Sequence, residues 1–161
     1  MVRPSRSLAL DGGWVAVGDD NYAGLIGVNR TTGDLMEASV LEAPDQTGSG
    51  DWGGLVALDG DYLVVIDRLV SVAVLFRVVD DNVLTMIGDL SPVHNDFIDT
   101  VAMAFPLVVV GFAGYRETFG VGRASVLSWN ETLGAFELER LLQGDVPRDG
   151  DFFSLFLFSP S

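Results

Sequence analysis

A pattern of two short apolar runs joined by a tight turn recurs three times along this chain. The copies are residues 8–19, 56–67 and 101–111. Each copy has an alanine between two larger apolar residues, and these alanines, Ala9, Ala57 and Ala102, are 48 and 45 residues apart. Self-similarity with a period of about 20–50 residues is typical of repeat architectures, in which each repeat is one supersecondary unit. The repeat therefore constrains the fold more than any other feature of the sequence.

The turns inside the copies predict β-hairpins. Residues 11–13 read Asp-Gly-Gly and residues 59–61 read Asp-Gly-Asp. Asp-Gly between apolar runs is a strong hairpin signal because glycine adopts a positive φ without steric cost. The third copy has Phe105 and Pro106 at this place instead, so we expect a different turn there.

The sequence after each hairpin repeats as well. A third apolar run occupies residues 25–28, 72–76 and 124–129, and a fourth occupies residues 36–41, 83–89 and 136–142. An acid and an aromatic residue then close each unit at residues 51–52, 96–97 and 151–152. The unit is thus four short strands per roughly 45–55 residues without helical periodicity, which is typical of propeller blades.

The sequence predicts an all-β fold, a partial β-propeller of about three four-stranded antiparallel blades in a single repeat domain. The units are approximately residues 8–55, 56–101 and 102–156. We expect Asp51, Asp96 and Asp151 to occupy equivalent corners, just before the first strand of each unit. The apolar runs 63–66 and 107–110 predict strands that are buried between neighbouring blades.

The number of blades predicts an open arc rather than a closed ring, because propellers close with about four to eight blades. The segment 152–158 is similar to the first strand of a further blade, so the chain is expected to be part of a larger propeller. The terminal blades should expose apolar faces that further sequence, a second copy of the chain or another protein covers.

The charge balance disfavours several partners. Nine Lys and Arg residues against 23 Asp and Glu residues give a formal net charge of −14. Nucleic acid and anionic membrane surfaces both need clusters of Lys and Arg, so neither is an expected partner. The apolar segments 62–79 and 100–114 do not predict membrane insertion, since the first contains three charged residues and the second is too short.

The inventory of reactive side chains argues against an enzyme. The chain has no cysteine and one histidine, His94. Disulfides, thiolate metal sites and zinc sites of ordinary type are therefore excluded, and no Gly-x-Ser-x-Gly elbow is present. We predict a non-enzymatic protein, with a hydrolase whose active residues line the propeller channel as an alternative.

Residues 51–61 read Asp-Trp-Gly-Gly-Leu-Val-Ala-Leu-Asp-Gly-Asp. This order resembles the FG-GAP repeat, which builds integrin α-like propellers, and the resemblance extends from about Leu8 to Phe156. Ile98 and Phe153 replace the glycine that follows the aromatic residue, and the Gly-Ala-Pro half of the repeat is missing. The resemblance implies a six- or seven-bladed ring that binds proteins or other ligands, outside the cell or at its surface. No signal peptide is visible at the start of the chain.

The resemblance also implies, in some members, Ca²⁺ in the loop between the second and third strands of a blade. The loop 18–24 comes nearest to this pattern, with oxygen ligands from Asp19, Asp20 and Asn21. Ca²⁺ takes about six to eight oxygens, so three side chains predict weak binding at most. An ordinary acidic hairpin loop is the alternative. A calcium-stabilised structural repeat is therefore a second functional hypothesis, and no other cofactor is expected.

Three further groups have a structural explanation beside a functional one. Asp145, Asp149 and Asp151 offer carboxylates to a metal, but aspartate also favours turns. Asn29 and Asn130 begin glycosylation sequons at the same place in two units, and asparagine is a good turn residue as well. The tryptophans are expected to pack between blades: Trp14, Trp52 and Trp129.

Overall fold

A computed structural model describes residues 7–19, 22–43, 51–68, 72–79, 83–89, 98–112 and 123–143. These residues form twelve β-strands and no helix. In chain order the strands are β1 (Ser7–Asp11), β2 (Trp14–Asp19), β3 (Tyr22–Val28), β4 (Leu35–Leu41), β5 (Trp52–Asp59), β6 (Tyr62–Asp67), β7 (Val72–Val79), β8 (Val83–Asp89), β9 (Ile98–Ala104), β10 (Leu107–Phe112), β11 (Arg123–Asn130) and β12 (Ala135–Gln143).

The strands form three separate four-stranded antiparallel sheets, each in simple sequential order. We refer to them as blade 1 (β1–β4), blade 2 (β5–β8) and blade 3 (β9–β12). The predicted all-β partial propeller of about three four-stranded blades is thereby confirmed. The expected boundary after residue 55 falls inside β5, which begins at Trp52, and the boundary after residue 101 falls inside β9.

The hairpin turns follow from the residues at their tips. Gly12, Gly13 and Gly60 have φ values of 60°, 90° and 54°, which L-residues with a side chain rarely adopt. The third turn differs, as predicted, because the peptide bond from Phe105 to Pro106 is cis.

The hydrophobic core lies between the blades, in two clusters. Blade 2 contributes to both clusters, and four consecutive residues of β6 are fully buried because one sheet lies on each side of the strand. These residues are Leu63, Val64, Val65 and Ile66. The prediction of a strand buried between blades is confirmed for β6.

The same prediction is wrong for residues 107–110. Val108 and Val110 are buried against blade 2, but Leu107 is 42% exposed and Val109 is only half-buried. Alternate residues of a strand point to opposite faces. In the described part of the chain no sheet lies on the side of blade 3 that Leu107 and Val109 face.

Candidate functional site

The residues predicted to bind Ca²⁺ lie at the end of β2. Asp19 is the last residue of this strand, pairs with Tyr22 of β3 and is 9% exposed. Asp20 and Asn21 lie outside the described residues, so the calcium hypothesis stays a prediction. Within the described ranges, no group of three or more His, Asp or Glu residues is placed to hold a metal ion.

Several other candidates also lie outside the described residues. They are His94, Asp96, Asp145, Asp149 and Asp151. Asp51, the corner acid that is described, directly precedes β5 as predicted and is buried.

The corner residue Trp52 joins blades 1 and 2. Its side chain is 1% exposed, and its indole N–H donates a hydrogen bond to the carbonyl oxygen of Leu41 in β4 at 3.0 Å. Its ring also meets Phe76 of β7 edge to face, with 6.3 Å between ring centroids. The prediction that the tryptophans pack between blades is confirmed for Trp52, and Trp14 and Trp129 pack at the edges of the two core clusters.

Both sequon asparagines close the turn that follows the third strand of their blade. The side-chain oxygen of Asn29 accepts a hydrogen bond from the backbone N–H of Thr31 at 2.9 Å. In the same way, the oxygen of Asn130 accepts one from the N–H of Thr132 at 3.0 Å. These two asparagines therefore have a clear structural role as turn residues.

Aspartates in the hairpin turns bind the turn of the next blade. The carboxylate of Asp11 accepts a hydrogen bond from the backbone N–H of Gly60 at 2.5 Å. The carboxylate of Asp59 accepts one from the N–H of Phe105 at 2.6 Å. Sequence reasoning assigned both aspartates to their own turns and missed this role. The sequence did contain a signal for this role, because Asp11 and Asp59 have equivalent positions in the first two units. Ala104 has that position in the third unit.

Arg68 provides a further link between blades 2 and 3. Its guanidinium forms an ion pair with Asp99 of β9 at 3.3 Å and donates a hydrogen bond to the carbonyl oxygen of Ile98 at 3.2 Å. Arg68, which directly follows β6, thus has an acidic partner on the neighbouring blade.

Each blade has two distinct faces. The C-side face points toward the next blade in the chain, and the N-side face points toward the preceding one. The C-side face of blade 1 includes Ala9, Ala16, Gly18, Ala23 and Leu25, and that of blade 2 includes Ala57, Val64, Ile66, Ala73 and Leu75. The N-side face of blade 2 includes Val56, Leu58, Leu63, Val65, Val74, Phe76 and Val78, and that of blade 3 includes Val101, Met103, Val108, Val110, Ser125, Leu127 and Trp129.

The N-side face of blade 1 is the candidate binding site. The residues that the strand register places on it include eight apolar ones: Leu8, Leu10, Val15, Val17, Ile26, Val28, Ala38 and Val40. We call this set the bare face. Leu8 and Leu10 are 67% and 70% exposed, whereas the equivalent residues of blade 2, Val56 and Leu58, are 5% and 9% exposed. The bare face thus has the composition of a core surface. Its inner-strand residues, on β2 and β3, are half-buried, but no sheet formed by the described residues lies against it.

Comparisons with known proteins identify the fold alone. Neither a protein-family model nor a curated protein matches this sequence. The structure is similar to that of Sqt1 from Saccharomyces cerevisiae, with a TM-score of 0.58 and 13% identity over 85% of this chain, which spans 35% of the Sqt1 chain. It is also similar to the computationally designed Ika4 protein, with a TM-score of 0.51 and 12% identity over 89% of this chain and 92% of that one.

In the part of the chain that the structure describes, no helix has the length and apolar character needed to cross a bilayer.

Proposed function

We propose that this chain is a non-enzymatic propeller module of the FG-GAP type that binds protein through the bare face of blade 1. The exposure of Leu8, Leu10 and Val40, at 67%, 70% and 70%, is the observation that carries the proposal. Contiguous apolar patches of this kind on a folded surface mark sites of interaction with other proteins. The likeness to the Sqt1 structure supports a propeller scaffold in general terms.

The chemistry of the bare face indicates what kind of partner surface it binds. Its eight residues are all apolar, and they lie on a four-stranded sheet. Two sheets pack face to face by interdigitating the side chains of their inner faces. The partner surface is therefore an apolar sheet face, and removal of both faces from water supplies the main driving force.

Residues 51–61 support the FG-GAP part of the proposal. Asp51 and Trp52 are buried at the corner between blades 1 and 2, and Asp59 links the turns of blades 2 and 3. Trp52 and Asp59, two of the residues that carry the resemblance, thus make contacts between blades. The non-enzymatic part is supported by the reactive side chains of the sequence, which include no cysteine and one histidine.

Site-specific photo-crosslinking tests the binding proposal. A photo-reactive amino acid replaces Leu10 on the bare face, or Leu133 in the turn between β11 and β12, which is 63% exposed but lies away from that face. Cells that produce the chain are irradiated, and each adduct is identified by mass spectrometry and then reconstituted from purified components. We expect a protein adduct at position 10, whether with this chain or another, and none at position 133.

The outcomes separate the parts of the proposal. Protein binding through the bare face would be contradicted if no adduct formed at position 10, or if adducts were equally abundant at positions 10 and 133. Turnover in a screen of ester, phosphoester and glycoside substrates would contradict the non-enzymatic part alone.

A further inference from the structure

We propose that the bare face of blade 1 binds the C-side face of blade 3 from a second copy of the chain, so that two copies close a six-bladed ring. This inference rests on the proposed function, namely that the bare face binds protein, and it names the partner. The two joints between blades that the described residues form show how such faces pack.

The C-side face of blade 3 matches the two C-side faces that are already packed. The register places Ala102, Val109, Gly111, Ala124 and Val126 at the positions of Ala57, Val64, Ile66, Ala73 and Leu75 in blade 2. In all three blades, alanine occupies the same position in the first strand and the same position in the third strand. Gly111 and Ala124 are already buried in a single copy, so Ala102, Val109 and Val126, which are half-buried, form the part of this surface that would contact an N-side face.

The bare face matches the N-side faces that accept such a surface. Its residues Leu8, Leu10, Val15, Val17, Ile26 and Val28 are equivalent to Val56, Leu58, Leu63, Val65, Phe76 and Val78 of blade 2. Every one of these positions is apolar in blade 3 as well. A joint between blade 3 of one copy and blade 1 of another would therefore repeat the packing of sheet faces that the chain makes twice internally.

The lack of one turn hydrogen bond makes the new joint weaker than the internal ones. Asp11 and Asp59 accept a hydrogen bond from the turn of the next blade, but the equivalent residue of blade 3 is Ala104. The backbone N–H of Gly12, which corresponds to the donors Gly60 and Phe105, therefore has no such acceptor in the proposed joint. Two copies should accordingly associate reversibly.

The number of copies follows from the number of blades. A contact between two different faces is heterologous, and it forms a ring only if the rotation closes. Propellers close with about four to eight blades. Two copies of three blades give six, which is the only multiple of three in that range. Two identical joints, related by twofold symmetry, would then leave neither blade 1 nor blade 3 with an uncovered face.

The first experiment measures mass and complementation. Sedimentation equilibrium of the 161-residue chain should give twice 17.2 kDa at high concentration and dissociate on dilution. Leu10→Glu on blade 1 and Val109→Glu on blade 3 should each weaken association by at least about tenfold. An equimolar mixture of the two variants should associate more tightly than either alone, because it contains one joint with both faces unaltered. Leu133→Glu is the matched control and should associate like the original chain.

The second experiment tests whether a substitution strengthens the association of the two copies. Ala104→Asp supplies the missing acceptor for the N–H of Gly12 in the other copy. It should tighten association by about tenfold, since hydrogen bonds to charged groups are among the stronger ones in proteins. This variant keeps the proposal testable even if a charge on either face prevents folding, which circular dichroism of each variant would reveal.

Several results would overturn the inference. A chain that stays at 17.2 kDa throughout, or assemblies larger than two copies, would contradict the six-bladed ring. Loss of association with Leu10→Glu but not with Val109→Glu would show that blade 1 binds blade 1 instead. If the adduct at position 10 contains a different protein while the chain remains a single copy, this inference fails but the proposed function stands.

Discussion

The carboxylate of Asp59 accepts a hydrogen bond from the backbone N–H of Phe105 at 2.6 Å, across the joint between blades 2 and 3. The ring of Tyr62, three residues after Asp59, stacks on that of Phe105 with 3.6 Å between centroids and 3° between planes. Polar and aromatic contacts therefore align the two hairpin turns at the same point. Asp11 repeats the polar contact with Gly60 at the joint between blades 1 and 2.

We expect Asp59→Ala to lower the free energy of unfolding by about 2 kcal/mol, because it leaves the partly buried N–H of Phe105 without its charged acceptor. Asp59→Asn should cost less, since the amide oxygen still accepts. The control is Asp61→Ala, which removes an exposed carboxylate from the same turn and should leave stability nearly unchanged. Urea denaturation at one chain concentration measures all three, and equal losses for Asp59→Ala and Asp61→Ala would contradict the assigned bond.

Gly53 is predicted to tolerate no side chain. Its φ is +87°, and a Cβ there would collide with the carbonyl oxygen of Tyr22 and lie 2.9 Å from that of Asp19. Gly53→Ala should therefore destabilise the chain by about 3 kcal/mol or more, through backbone strain and overpacking at the joint between blades. Gly33→Ala has similar strain at φ +77°, but no described residue lies within 4 Å of the added Cβ, so it should cost only about 1 kcal/mol. Similar thermal midpoints for the two variants would show that the backbone approach at Gly53 is unimportant.

Ser125 is predicted to destabilise the native chain. It is fully buried, and among the described residues its hydroxyl has no hydrogen-bond partner. Ser125→Ala removes that unsatisfied group and should raise the free energy of unfolding by about 1 kcal/mol. Ser128→Ala on the same strand is the control, since the hydroxyl of Ser128 donates to the Glu139 carboxylate and its loss should not stabilise. A loss of stability on Ser125→Ala would mean that the hydroxyl is satisfied after all.

The sequon asparagines are predicted to stabilise turns. Asn29→Ala removes the acceptor of the Thr31 N–H and should cost about 1 kcal/mol, and Asn130→Ala should behave alike. Thr31→Ala also destroys the sequon but keeps that hydrogen bond, so it should be nearly neutral. Comparing the urea midpoints of Asn29→Ala and Thr31→Ala separates the turn from any effect of glycosylation. Equal losses would contradict the turn role.

Local patterns predicted most of the fold. Apolar runs separated by turn residues located the strands to within a few residues, because alternation and turn chemistry act over a few neighbouring positions. The Asp-Gly pairs located two hairpins, and the absence of glycine at Phe105 correctly predicted a different third turn. The corner at Asp51 and Trp52 was located by its position in the repeat.

The candidate site depended on contacts that no local pattern contains. The residues joined by the turn hydrogen bonds, Asp11 with Gly60 and Asp59 with Phe105, are 49 and 46 positions apart. The burial expected for Leu107 was wrong for the same reason. An apolar residue of a strand is buried only if another sheet, which can be distant in sequence, lies against its face. The sequence alone determined the strands, the turns and the repeat, because each depends on neighbouring residues. Only the tertiary structure decided which faces are covered, because burial depends on which sheets lie together in space.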